Sequence, residues 1–208
     1  MLEGFPSEWE GQLHEFTSHH DALAEAAGRA CYQSWDNPAN KTNQEYLANI
    51  IDHGHFSVLE HASCTFYIEG VSRALTHELI RHRHLSYSQL SQRFVALEKS
   101  TFVVPPALEG REDLLEEFAK ASIKCYQDLY DLLHAAGLSR KQAREAARCV
   151  LPNMTETKIV VTGNHRAWRE VVQKRNAPGA DAEIQRLAQE LLRQLKQWAP
   201  NTYQDMAL

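Results

Sequence analysis

Basic and hydroxyl side chains crowd one short stretch, Arg81-His82-Arg83-His84-Leu85-Ser86-Tyr87-Ser88-Gln89-Leu90-Ser91-Gln92-Arg93-Phe94. Guanidinium forks match phosphate and carboxylate oxygens two at a time, and Ser86, Ser88 and Ser91 add small donors between them. Complementing a helix dipole accounts for Arg81, Arg83 and His84 but not for the serines and Arg93. Glu78 is the one acid nearby, so mutual repulsion favours an anionic ligand as the missing partner. Ser91 has no Ser-His-acid arrangement to activate it and reads as a binding residue. His77-Glu78-Leu79-Ile80-Arg81 begins like a zinc-protease helix, but an arginine stands where the second histidine is required.

These residues need elements to hold them. Apolar spacing predicts a helix over 18–33, with Leu23, Ala26, Ala27 and Ala30 on one face, broken by Asn37, Pro38 and Asn40. Thr42 caps a second helix that runs to His53 and stops at Gly54. A strand covers 62–69 and closes at Gly70, and a helix from Ser72 to about Arg83 turns Val71, Ala74, Leu75 and Leu79 inward. Phe102, Val103 and Val104 form a short strand ended by Pro105-Pro106. Helices follow over 112–136, stopped by Gly137, and from a Ser139/Gln142 capping box to Leu151-Pro152. Thr157 to Thr162 is a buried strand, and Gly163-Asn164 turns it into another helix. The last helix carries an apolar stripe of Ile184, Leu187, Ala188, Leu191, Leu192, Leu195 and Trp198. Without regular β-α-β alternation, the pattern is α+β: one domain over 1–208, a mixed or antiparallel sheet packed by helices.

With 208 residues, 43% of them hydrophobic, the chain can bury a core, and a net charge of -5 disfavours a general nucleic-acid binder. A nucleic-acid module built on Arg73, Arg81, Arg83 and Arg93 lacks lysines and any fold signature. Cys31, Cys64, Cys125 and Cys149 form no C-x-x-C pair, so no metal site is expected, although His53, His55 and His61 on one turn could be tested with a chelator. The start, MLEGFPSEWE, has no apolar leader, and no stretch approaches the roughly 18 apolar residues of a membrane helix. The expected compartment is the cytoplasm, with no membrane or nucleic-acid partner.

Arg81-His82-Arg83, seven residues, then Ser91 resembles the signature of flavin-dependent thymidylate synthases. Gly54-His55-Phe56-Ser57-Val58-Leu59-Glu60-His61, Arg148-Cys149-Val150-Leu151-Pro152, Asn164-His165-Arg166 and Arg175 match further family elements in order, so the resemblance spans roughly 22–200. It implies FAD held by Ser57, Arg81, His82, Arg83, Gln89, Asn164, His165 and Arg166. It implies dUMP against Glu78, Leu79, Ile80, Arg81, Gln89, Leu90, Ser91, Gln92 and Arg93, with Arg148 and Arg175. Arg175 is the implied catalytic residue, stabilising negative charge on the uracil ring, and His55 and His82 are implied on the folate and flavin side. The implied reaction methylates dUMP to dTMP, with 5,10-methylenetetrahydrofolate as one-carbon donor and NADPH reducing the FAD. A homotetramer with shared active sites is implied as well. This chain departs from many relatives at Glu170, which would bring a carboxylate to the flavin, and at Gly179.

Overall fold

The computed structural model describes residues 18–35, 41–97 and 100–207. The breaker at Asn37, Pro38 and Asn40 and the N-terminal leader reading lie outside them. Among the described residues the order is α1 (His19–Tyr32), α2 (Asn43–Asp52), β1 (Ser63–Ser72), α3 (Arg73–Leu79), β2 (Ser86–Gln89), α4 (Asp113–Ala135), α5 (Arg140–Ala147), β3 (Glu156–Asn164), α6 (His165–Arg175) and α7 (Ala182–Trp198). The strands form a three-stranded sheet in the order β1-β3-β2. Thr65 faces Thr162 and Glu69 faces Lys158, a descending register that makes β1 and β3 antiparallel. The architecture is mixed α and β, as the pattern of segments requires.

By its internal contacts the chain forms two compact units, 66–161 and the two flanking segments 1–65 and 162–208. In the unit of flanking segments, Leu47, Ile50 and Leu59 pack with Ala24, while Trp168 and α7's Ile184, Leu192 and Leu195 are almost wholly buried. In the 66–161 unit, Tyr126 packs with Leu97 and Ala147, flanked by Leu129, Tyr130, Val150 and Leu151.

Capping sets several boundaries. Thr42 and Glu45 close a reciprocal capping box on α2, and Ser139 and Gln142 do the same on α5. Thr42→Ala is expected to cost about 1 kcal/mol, read as a lower urea midpoint at unchanged m-value. Gly137, at φ 94°, supplies the left-handed turn that stops α4.

Four expectations change. Gly70 does not close β1; it sits inside the strand at φ 70°, and pairing continues to Ser72. The helix expected to reach Arg83 ends at Leu79, because Tyr87 Oη hydrogen-bonds the carbonyls of Leu79 and His82, both at 2.8 Å, and holds the chain in a turn. The stretch Phe102–Val104 makes only an isolated bridge between Phe102 and Thr155. On α1 the buried positions include Asp21, Glu25 and Arg29 alongside Ala22, Ala24 and Ala26, so the helix buries a polar stripe that simple periodicity assigns to solvent.

Candidate functional site

The 66–161 unit carries the arginine-rich stretch. Ser72 caps α3, and the chain then turns through Arg81-His82-Arg83 with Arg81 and Arg83 exposed and His82 buried. β2 follows, a strand with no counterpart among the elements expected from the sequence. Ser86-Tyr87-Ser88-Gln89 has no apolar run, and its strand character comes from pairing with β3. Gln89 is fixed by donating from Nε2 to Thr76 Oγ1 at 3.1 Å and Thr157 Oγ1 at 3.2 Å. A turn at Ser91, whose carbonyl accepts from Phe94 and Val95, presents Arg93. Arg93 lies 3.6 Å from Glu145 and over the ring of Phe94. Leu79 is core and Ile80 is exposed, so any ligand contact of Leu79 is through its backbone; Gln92 is buried, and Glu78, Leu90 and Ser91 are half-buried.

Arg73, which the sequence reading placed only in a nucleic-acid alternative, joins this group. It is half-buried on the first turn of α3, and its guanidinium titrates below the ordinary arginine value, first from burial and then from repulsion by Arg148. Arg148 opens a 3-10 turn, Arg148–Val150, at the end of α5. Arg73, Arg81, Arg83 and Arg148 form no ion pair among the described residues. Half-buried arginines with no carboxylate partner suit a dianion such as a phosphomonoester. The signal in the sequence was Arg73 at the helix start, a position ordinarily read as solvated.

The unit of flanking segments carries the remaining candidates. A 3-10 turn, Phe56–Glu60, presents exposed Ser57 and follows exposed His55, whose ring lies 5.7 Å from that of His53. Glu60 pairs with Arg166 at 2.5 Å, which ties this turn to the start of α6. Asn164 caps α6 by accepting from the Ala167 N–H at 2.9 Å, and the His165 N–H donates to Ala62. Two first-turn donors are therefore already used, and attraction for an anion there rests on the helix dipole and Arg166. The His165 ring is 1% exposed and bonded to Tyr203 and His20, facing protein rather than solvent. Glu170 pairs with Lys174 one turn on, which offsets its charge. Arg175 is the last residue of α6 and half-buried. Ser57, Asn164, Arg166 and Arg175 thus belong to one unit, and Arg81, Arg83, Gln89, Arg93 and Arg148 to the other.

The arginine-rich turn of the 66–161 unit and, in the other unit, a capped helix start beside Arg166 are each suited to phosphate-bearing ligands, within a mixed α and β fold. Residues 12–201 match the family model described as thymidylate synthase complementing protein. The chain is 57% identical over 199 residues to a flavin-dependent thymidylate synthase of Mycolicibacterium vanbaalenii, covering 90% of this chain and 80% of that one. It is 58% identical over 196 residues to the flavin-dependent thymidylate synthase of Mycobacterium tuberculosis, covering 88% and 78%. The Mycobacteroides abscessus protein of the same name is 56% identical over 196 residues. The chain belongs to the flavin-dependent thymidylate synthases.

Proposed function

We propose that this chain converts dUMP to dTMP with FAD as bound cofactor. In the balanced reaction, 5,10-methylenetetrahydrofolate gives its methylene to C5 of dUMP, the C5 proton is lost, and NADPH supplies the reducing equivalents. The products are dTMP, tetrahydrofolate and NADP+. Family membership supports the activity, and the observation that carries the substrate class is that Arg73, Arg81, Arg83 and Arg148 form no ion pair among the described residues. A phosphate dianion there would replace repulsion with charge-assisted hydrogen bonds.

Arg81, Gln89, Ser91 and Arg93 would complete the dUMP contacts with Glu78 and the backbone of Leu79, Ile80, Leu90 and Gln92. Ser57, Asn164 and Arg166 in the unit of flanking segments suit FAD, since an exposed cation and a helix start offer what a diphosphate requires; in the 66–161 unit the candidates are Arg83, His82 and Gln89. When bound, the flavin supplies hydride transfer. Arg175 stays cationic throughout and donates to the uracil ring as negative charge develops on it. Residues 1–208 would act as one functional domain, in the cytoplasm, with His55 and His82 on the folate and flavin side.

A homotetramer with shared active sites fits one feature: α4 exposes Leu114, Phe118 and Leu132 on a single face at 61%, 59% and 65%. Among the described residues no helix is long and apolar enough to cross a membrane.

The test is dTMP formation by the purified chain with dUMP, FAD, NADPH and methylenetetrahydrofolate, each omitted in turn. Product that requires all four supports the reading, and none with the full set overturns it. Arg73→Ala is expected to raise the KM for dUMP about tenfold or more, the worth of a charge-assisted hydrogen bond, with a smaller change in kcat.

A further inference from the structure

Three residues far apart in sequence meet inside the unit of flanking segments: His20 in the first turn of α1, Cys64 in β1 and His165 at the start of α6. His20 Nδ1 lies 2.8 Å from His165 Nε2, and Cys64 Sγ lies 3.8 Å and 3.7 Å from those nitrogens. Cys64 is 4% exposed and His165 1%, while His20 keeps part of its ring toward solvent. From these contacts we infer that His20 Nδ1, Cys64 Sγ and His165 Nε2 form a binding site for a zinc-class divalent transition ion.

The geometry is close to what such an ion requires. Zinc–nitrogen bonds near 2.0–2.1 Å and zinc–sulfur bonds near 2.3 Å, set tetrahedrally, put ligand nitrogens roughly 3.3 Å apart and sulfur roughly 3.6 Å from each. The triangle in place needs the histidines to part by about half an ångström and the sulfur to move inward by less. His20, on the exposed side, is the ring free to shift.

The fourth partner concerns orientation. Tyr203 Oη lies 2.8 Å from His165 Nδ1, within reach to accept a proton carried there. In that tautomer His165 Nε2 carries its lone pair, directed at His20 and Cys64. An outer hydrogen bond of this kind fixes tautomer and ring plane in metal-ligating histidines. Cys64 is a free, buried cysteine. Binding would replace that thiol proton with the metal and release it to solvent, while His20 carries its remaining proton on Nε2 toward water. Imidazole and thiolate donors select zinc over magnesium or calcium, and three protein ligands leave one position for water.

No local spacing reveals such a site, which is why the cysteine pattern points away from metal. The ion would clasp α1 to β1 and to α6 one residue from Asn164 and Arg166, and it needs no flavin to bind.

Cobalt(II) titration of the chelator-treated, flavin-free full chain tests this. The expected result is one equivalent bound per chain, with an intense thiolate-to-cobalt absorption band and tetrahedral visible bands. Cys64→Val, which keeps an apolar residue in the buried position, should abolish the thiolate band and separates this site from the exposed Cys31, Cys125 and Cys149. His20→Ala, at the partly exposed position, should weaken binding at least tenfold, and Tyr203→Phe by about 10–100-fold. Binding below one equivalent, or a thiolate band that persists in Cys64→Val, overturns the site.

Discussion

Arg175→Ala should lower kcat for dTMP formation by about 10²–10³-fold, the range seen when a donor to a developing oxyanion is removed. The reason lies in timing. Uracil is neutral when dUMP binds and gains negative charge only as the ring is activated, so a cation aimed at it contributes more to the transition state than to the ground state. The loss is therefore expected in kcat, with the KM for dUMP changing far less. Arg175 ends α6 and is half-buried, so the thermal midpoint is measured beside kcat to separate a catalytic loss from a structural one. Arg175→Lys keeps the charge but loses the planar fork and should fall between the two. Added guanidinium should restore part of the activity of Arg175→Ala and none of that of Arg175→Lys. An alanine variant with unchanged kcat, or one whose whole defect is a raised KM, would remove Arg175 from catalysis.

What could be read from the sequence divides along physical lines. Helix ends were legible because capping is local: Thr42 with Glu45, Ser139 with Gln142 and Asn164 before Ala167 all act within three residues. The stripe on α7 was legible because its period is set by one helix facing one core. β2 was not, since Ser86-Tyr87-Ser88-Gln89 has no strand signal of its own and is paired by β3, far along the chain. The same limit hid the early stop of α3, which depends on a tyrosine hydroxyl eight residues beyond Leu79. Arg81, Arg83 and Arg93 could be singled out by composition, but the Arg73–Arg148 pair needs the fold to bring α3 and the end of α5 together. The buried acids of α1 show the converse error. Asp21 and Glu25 look solvent-facing until the Asp21 carboxylate is seen accepting from the Asn201 and Thr202 N–H groups, and Glu25 from Arg29 and Asn43. A polar residue is excluded from a core only when no partner waits there.

Arg169→Met is expected to cost about 3 kcal/mol of unfolding free energy, the lower end for breaking a buried ion pair because its partner can rehydrate. Arg169 is 3% exposed, and its two terminal nitrogens reach Asp205 at 2.8 Å and 2.6 Å while one also donates to the Thr202 carbonyl. The guanidinium carbon lies 5.3 Å from the ring centroid of Phe56 and 6.0 Å from that of Tyr203, so the charge is flanked by aromatic faces. Methionine keeps much of the stem's packing and removes the fork, which isolates the polar loss. Asp205 gives this prediction a pH signature. Burial alone would raise its carboxyl, but the Arg169 hydrogen bonds and charge override that and hold it below the ordinary 3.8. A depressed carboxylate stabilises the fold fully above its unfolded pKa and loses that contribution as pH falls through the folded one. The gap between parent and Arg169→Met should thus be widest near neutral pH and narrow below about pH 4, where the carboxylate takes up a proton. Urea midpoints measured from pH 7 to pH 3 give the answer. A constant gap would mean that Arg169 acts through the Thr202 carbonyl and the aromatic faces rather than through Asp205, and no gap at all would mean that the pair does not stabilise the fold.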